Sequence, residues 1–314
     1  MLKLGIIVPC YNEEEALPET NRRLIEVINN LVRLGKITTD SMIFYVDDGS
    51  SDGTWQLIES LSIVNSLHIS GIKLSRNYGH QNAIVAGLFS AAGDALITID
   101  ADLQDDVNAI EAMIDKYLAG SEIVYGVRNN RESDSVFKRL TASIFYSVME
   151  ILGAEVVKNH ADFRLLSRNA INSLQEFREV SLFLRGIVPL IGLSSATVHY
   201  SRDRRLLGQS KYPLRKMLNF AVDGITSFSI VPLRIVTITG LFIFILSLIM
   251  STYVMFLWLF TDDALPGWSS IVLPMYLLGG VQVLFLGIFG EYLGKIYGEV
   301  KDRPRYIIEK RTIK

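Results

Sequence analysis

The sequence predicts an α/β fold: a mostly parallel sheet flanked by helices, followed by an interfacial amphipathic helix and two C-terminal transmembrane helices. Three observations predict it. Over roughly the first 130 residues, short Ile- and Val-rich runs alternate with helical patterns, the order that builds a parallel sheet covered on both faces. Those runs repeatedly stop in carboxylates, most abruptly at Ile97-Thr98-Ile99-Asp100-Ala101-Asp102-Leu103-Gln104. Finally, no charged residue lies between Arg234 and Asp262 or between Asp263 and Glu291, and each gap exceeds the roughly 20 residues that span a bilayer core as a helix.

The elements follow in order. Strands are expected at Leu4–Val8, Met42–Val46, Ile69–Leu74, Ala95–Ile99 and Glu122–Tyr125. All are short and lack polar alternation, as strands buried on both faces do. Helical spacing falls between them, at Glu14–Leu34, Thr54–Ser62, Gln81–Ala92 and Val107–Leu118. A further helix is expected from Ser135 to Gly153, then a less regular segment to about Gly208. The catalytic domain is thus drawn over 1–210. Pro213 suits the first turn of a helix over 211–232, where Leu214, Met217, Leu218, Ala221, Val222, Ile225 and Phe228 recur at helical spacing. Such a helix is expected in an interface plane. The membrane region is drawn over 233–292, with spans at about 235–261 and 271–290, and a basic tail over 293–314.

Composition narrows the classes. The 314 residues carry a formal net charge of −2, which gives no reason to expect nucleic acid as a partner. Hydrophobic residues make up 49%, and mean hydropathy is +0.30, an excess concentrated in the two charge-free runs. Cys10 is the only cysteine, so no internal disulfide can form. Leu4–Val8 is too short for the apolar region of a signal peptide. The connector around Asp262 and Asp263 lacks Lys and Arg, whereas the tail carries several. The positive-inside rule then predicts a multi-pass protein of the inner (cytoplasmic) membrane, with catalytic domain and both termini cytoplasmic. Oligomeric state stays open, although Gly279, Gly280, Gly287 and Gly290 would permit the close helix packing of a homo-oligomer.

The chemistry is read from the strand tips. In open α/β sheets, ligands bind beyond the carboxyl ends of the strands. Carboxylates there, with an amide oxygen two positions on, suit a hard divalent cation shared with phosphates. Pro9-Cys10-Tyr11-Asn12-Glu13 follows the first strand, and Asp47-Asp48-Gly49-Ser50-Ser51-Asp52-Gly53-Thr54 the second. An Asp at a tip can accept hydrogen bonds from a base edge, and the glycines allow a tight turn. No G-x-G-x-x-G dinucleotide fingerprint is present. His80, His160 and His199 show no metal-ligand spacing and read as structural histidines.

Pro9-x-Tyr11-Asn12-Glu13, Asp47-Asp48-Gly49-Ser50-x-Asp52-Gly53-Thr54 and Asp100-Ala101-Asp102-Leu103-Gln104 resemble the nucleotide-sugar motifs of family-two glycosyltransferases with the GT-A fold. Arg205-x-x-Gly208-x-Ser210-Lys211-Tyr212 and the paired apolar runs resemble, more narrowly, the polyprenyl-phosphate glycosyltransferases, both the dolichyl-phosphate mannose synthases and the bactoprenol glucosyl transferases.

The resemblance implies that Pro9, Tyr11, Glu13 and Asp47 hold base and ribose, with Tyr45 in the same nucleotide-sugar set. It implies that Asp100 and Ala101 line the nucleotide and that Asp102 and Gln104 bind Mg2+ or Mn2+. Arg205, Ser210 and Lys211 would close over the phosphates on a mobile loop, with Arg205 and Lys211 acting in catalysis beside Asp102. Asp162, in Ala161-Asp162-Phe163-Arg164, would orient Arg164 or the acceptor, unless it forms only a structural salt bridge. Arg128 and Arg131 are candidates for the acceptor phosphate, unless they are ordinary surface arginines; the guanidinium fork suits phosphate.

The implied reaction is inverting transfer of a hexose, glucose first, from a nucleoside diphosphate sugar, UDP-glucose first, to undecaprenyl phosphate held in the lipid bilayer. Mannose or an aminoarabinose is the alternative sugar, and a catalytically inactive membrane scaffold the alternative class. A processive polysaccharide synthase is disfavoured, because no Gln begins a Gln-x-x-Arg-Trp segment.

Overall fold

The computed structural model describes residues 1–128, 160–179, 184–201 and 268–312, together with 236, 238–240, 242, 243, 245 and 249. The chain clusters into two units. The first comprises Met1–Glu150, Glu155–Pro213 and Arg303–Lys314, and the second Ile151–Ala154 and Leu214–Asp302.

Among the described residues, the first unit is built on one eight-stranded sheet. Its strands are β1 (Leu4–Cys10), β2 (Met42–Asp47), β3 (Ile69–Leu74), β4 (Ala95–Thr98), β5 (Ile123–Arg128), β6 (His160–Ser167), β7 (Ser195–Tyr200) and β8 (Ile308–Arg311), in the order β7-β5-β6-β4-β1-β2-β3-β8. Pairing is parallel except where β6 meets β4 and β5, and where β8 meets β3. Every residue of β1, β2 and β4 is buried, as the unbroken apolar runs require of strands covered on both faces. The sheet is therefore mixed, a GT-A-like sheet flanked by helices.

The connecting helices are α1 (Leu17–Arg33), α2 (Thr54–Val64), α3 (His80–Ser90), α4 (Ala109–Leu118), α5 (Arg168–Gln175) and α6 (Leu184–Leu190). In α1, Leu17, Thr20, Leu24, Ile28 and Leu31 are buried at the i, i+3/i+4 spacing of one helix face. Burying each such Leu or Ile contributes about 1.5–3 kcal/mol. Helix α3 is buried along Ala83–Leu88, and Gly87 lets it approach the sheet: a Cβ there would sit 2.3 Å from Ile7 Cγ2.

The antiparallel entry of β6 positions the site. Its register pairs Thr98 with Arg164 and Ala95 with Ser167. The start of β6, carrying Asp162, therefore lies at the same sheet edge where β1, β2 and β4 end. At the far edge, β8 adds antiparallel to β3, and Gly71 N donates to Thr312 Oγ1 at 3.0 Å.

The C-terminal apolar runs require a correction. Among the described residues, no helix is long and apolar enough to cross a membrane. The expected two transmembrane helices and the multi-pass inner-membrane location therefore do not stand. The expectation rested on absence of charge, and an uncharged run is not by itself a span. Of the first run, only isolated positions fall among the described residues. The second becomes α7 (Trp268–Val300), which contains Pro274 and Gln282 and continues through Glu291, Lys295 and Glu299.

Candidate functional site

Three loops at the carboxyl edge of the sheet are laced together. After β1, Asn12 turns the chain with φ 55°, and its Oδ1 accepts from Ser51 N at 2.9 Å. Ser50 Oγ accepts from Asn12 N at 2.9 Å, and Thr54 Oγ1 from Glu13 N at 3.0 Å. After β2, Asp48 accepts from the backbone of Tyr78 (2.8 Å) and Gly79 (3.0 Å) in the loop after β3. Gly49 is required between them: its φ is 68°, and a Cβ would lie 2.4 Å from the Arg76 carbonyl carbon. The polar residues of the Asp47–Thr54 motif thus fold the site before they serve any ligand.

Within this frame, Asp47 is fully buried. Its Oδ1 accepts from Ser50 N at 3.1 Å, while its Oδ2 is buried with no hydrogen-bond partner. Burial pushes the carboxyl above its usual range, partly offset by Ser50 and Lys73. A buried orphan acceptor costs about 1–3 kcal/mol unless something donates to it. Pro9 is buried and Tyr11 is 42% exposed at the same edge. Tyr45 is not brought to the site: it is fully buried, and its hydroxyl donates to Asn21 Oδ1 at 3.0 Å.

The turn after β4 is strained where the motif predicts function. Leu103 adopts φ 55°, and its side chain packs into the core. Left-handed backbone at a branched residue persists only where its surroundings over-determine it, as at binding sites. Gln104 N donates to Asp102 Oδ1 at 3.2 Å, and Thr20 Oγ1 donates to the Ala101 carbonyl at 2.7 Å. Among the described residues, no group of three or more His, Cys, Asp or Glu side chains could hold a metal. One carboxylate and one amide oxygen in a fixed turn nevertheless fit Mg2+ or Mn2+, which take their remaining ligands from phosphates and water.

Asp162 is the centre of a charged cluster. Arg164 Nη2 lies 2.7 Å from its Oδ1, Arg185 Nη2 3.1 Å from its Oδ2, and His80 Nε2 3.6 Å from Oδ2. His80 Nε2 is also 3.4 Å from Asp100 Oδ1. Arg164 is 1% exposed, and its Nη1 donates to the Leu184 carbonyl at 3.2 Å. Burial alone would raise the Asp162 carboxyl, but Arg185, His80 and Arg164 outweigh it and hold the group well below the usual range. A carboxylate so stabilised is a poor proton acceptor; its chemistry is orientation. Asp100 is pushed up, by burial first and by Asp105, Asp162 and Asp102 next, against the pull of His80.

For His80, burial lowers the pKa, but Asp100 and Asp162 more than reverse it, to about 9. A folded-state pKa above the ordinary 6.5 means that the ion pair stabilises fully below that value and is lost as pH rises through about 9. In an NMR titration, the His80 imidazole is expected to titrate near 9, and a midpoint near 6.5 would contradict the bridge.

Arg128 is anchored at the same edge by Asp105, 3.2 Å from its Nη2, and by the Tyr200 hydroxyl, 3.2 Å from its Nε. Arg131, Arg205, Ser210 and Lys211 lie outside the described residues.

The structure gathers Pro9, Tyr11, Glu13, Asp47, Asp100, Ala101, Asp102, Gln104, Arg128 and Asp162 on loops or strand ends of one sheet edge. Sequence reasoning passed over Asp105, Arg185 and Tyr200, read His80 as a structural histidine, and named Arg164 only as a group that Asp162 would orient. Two signals were available. His80 follows a strand and opens a helix, the position where such folds bind ligands. Arg164 stands two residues after Asp162 on a strand, hence on the same face.

A mostly parallel sheet with buried and half-buried carboxylates at its strand tips, a metal-fitting turn and anchored arginines defines a GT-A-type transferase. The glycosyl transferase family 2 model matches residues 5–174. The chain belongs to glycosyl transferase family 2 and is a glycosyltransferase. It is 48% identical to the uncharacterized glycosyltransferase YkoT of Bacillus subtilis over 98% of this chain and 91% of that protein. It is 37% identical to the SfII prophage-derived bactoprenol glucosyl transferase of Shigella flexneri over 98% of each chain. Among solved structures, glucosyl-3-phosphoglycerate synthase from Mycobacterium tuberculosis, in complex with Mn2+, UDP and phosphoglyceric acid, aligns with TM-score 0.45 and 16% identity. That alignment covers 72% of this chain and 76% of that one.

Proposed function

We propose that this glycosyltransferase moves a hexose, glucose first, from a nucleoside diphosphate sugar, UDP-glucose first, to undecaprenyl phosphate, with inversion at the anomeric carbon. The acceptor assignment is supported by similarity to proteins named bactoprenol glucosyl transferases, at 36–37% identity over nearly the whole chain. The single structural observation that carries the donor assignment is the buried, unpartnered Oδ2 of Asp47 at the tip of β2. A base N–H is the kind of donor that would satisfy it, with Tyr11 beside it for the ring.

In this reading, Asp102 and Gln104 hold Mg2+ or Mn2+ together with the donor diphosphate. A divalent cation supplies offset for the charge that develops as the sugar–diphosphate bond breaks. Arg128 captures the acceptor phosphate, with Arg131 as its partner by sequence. Arg205, Ser210 and Lys211 are the proposed closing loop over the phosphates. The acceptor phosphate is already ionised near neutral pH, so its oxygen attacks the anomeric carbon without a strong general base. That fits Asp162, whose pairing with Arg164, Arg185 and His80 suits it to hold groups in place. The boundaries proposed for the catalytic domain, 1–210, keep all of these residues except Lys211 inside it.

The test supplies labelled nucleotide sugars one at a time with undecaprenyl phosphate and Mg2+ or Mn2+. The expected result is labelled lipid with at least one donor, UDP-glucose foremost. No labelled lipid with any common hexose donor would overturn the proposal.

A further inference from the structure

Arg128 ends β5 and stands in register with Tyr200 at the end of β7. Its guanidinium is built into a closed ring of hydrogen bonds. Nε donates to the Tyr200 hydroxyl at 3.2 Å, Nη2 donates to Asp105 Oδ1 at 3.2 Å, and the Tyr200 hydroxyl donates to the same Asp105 oxygen at 2.5 Å. Asp105 and Tyr200 are each 3% exposed, whereas the Arg128 side chain keeps 25% of its surface. The Tyr200 ring is itself fixed edge-on against buried Phe163, with centroids 5.3 Å apart and planes at 81°. Among the described residues, Nη1 makes no hydrogen bond, so the ring leaves one terminal amino group to present to an anion.

The charges explain why this arrangement orients more than it attracts. Asp105 neutralises Arg128, which weakens its long-range pull on a phosphate. What the pair supplies is a guanidinium held in one geometry before ligand arrives, so that little rotamer entropy remains to be lost on binding. Asp105 also belongs to the turn that carries Asp102 and Gln104, one residue beyond Gln104. Any shift of that turn on loading the donor moves the carboxylate that aims Arg128.

We propose that Asp105 and Tyr200 are positioning residues for Arg128, and that through Asp105 the donor-side turn sets where Arg128 meets the acceptor phosphate. This rests on the reading of Arg128 as an acceptor-phosphate residue given above. The pair touches Arg128 and not the reacting atoms.

Tyr200→Phe is the informative variant, because it keeps the ring against Phe163 and deletes only the bridging hydroxyl. With the wild-type protein transferring hexose to undecaprenyl phosphate, Tyr200→Phe is expected to raise the acceptor KM about tenfold, the scale of one lost hydrogen bond to a charged group. The donor KM should stay at its wild-type value. Arg128→Ala should raise the acceptor KM further, and adding Tyr200→Phe to Arg128→Ala should change nothing more. That non-additivity separates positioning from a general loss of packing. Asp105→Asn should shift the acceptor KM in the same direction. If Arg128→Ala raises the acceptor KM but Tyr200→Phe does not, or if Tyr200→Phe raises donor and acceptor KM alike, the inference falls alone. If Arg128→Ala leaves the acceptor KM unchanged, or the wild-type protein transfers nothing to the lipid phosphate, the underlying reading falls and takes the inference with it.

Discussion

Asp102→Ala is expected to reduce hexose transfer by about three orders of magnitude. Transition-state stabilisation by a bound cation amounts to several kcal/mol, and each 1.36 kcal/mol is a factor of ten in rate. Asp102 is the one carboxylate of the proposed Asp102–Gln104 donor pair. Gln104 alone offers a neutral oxygen, too weak to hold a hard dication beside a diphosphate. The fold should survive, because Asp102 is half-exposed and the turn keeps Leu103 in the core. Turnover measured at saturating donor over a range of Mn2+ concentrations checks this. Wild-type turnover in the variant would remove Asp102 from the metal site.

The second large effect is on stability. Asp162→Ala should destabilise the protein by about 3–5 kcal/mol, the cost of breaking a buried ion pair by removing one partner. Arg164, 1% exposed, would lose the carboxylate 2.7 Å from its Nη2 and keep its charge. Arg185 and His80 would lose the same partner, and His80 would keep Asp100, 3.4 Å from its Nε2. Arg164→Leu in the same background should recover part of the loss, since it removes the most deeply buried unpaired charge. Urea denaturation gives the number. A loss below about 1 kcal/mol, the scale of a surface pair, would show that the cluster is solvated and carries little.

The first five strands were legible because they are largely apolar and buried and their turns are rich in Asp, Gly and Ser, whereas the parallel β7, with exposed positions along Ser195–Tyr200, fell in the segment expected to be less regular. Ile69–Leu74 matches β3 residue for residue, and the other early strands differ only at their ends. The antiparallel strands were not legible, for a physical reason. β6 opens with His160, Ala161 and Asp162, and β8 reads Ile-Glu-Lys-Arg. Their polarity reflects a place at the site in one case and at the sheet edge in the other, and it masks the strand pattern.

The site divides in the same way. Residues that stand together in sequence at or just beyond the end of a strand, such as Asp47, Asp100 and Asp102, are visible as motifs. Residues that act by touching a distant partner are not. Asp105 and Tyr200 lie 95 positions apart and meet only because β7 pairs with β5. His80 reaches Asp162 only because β6 runs antiparallel and brings its first residues to the tip of β4. Tyr45 shows the converse error: it sits inside a motif-bearing strand, yet its side chain faces the core and Asn21. The membrane-span expectation failed because counting uncharged residues measures what a segment lacks, and says nothing of the length of apolar helix it forms.

The most direct measurement is a crystal structure with Mn2+ and a uridine diphosphate sugar. The account predicts the ion between the diphosphate and the Asp102 and Gln104 side chains, with a base N–H on the Asp47 carboxylate. A nucleotide bound elsewhere, or Mn2+ coordinated without Asp102, would contradict it.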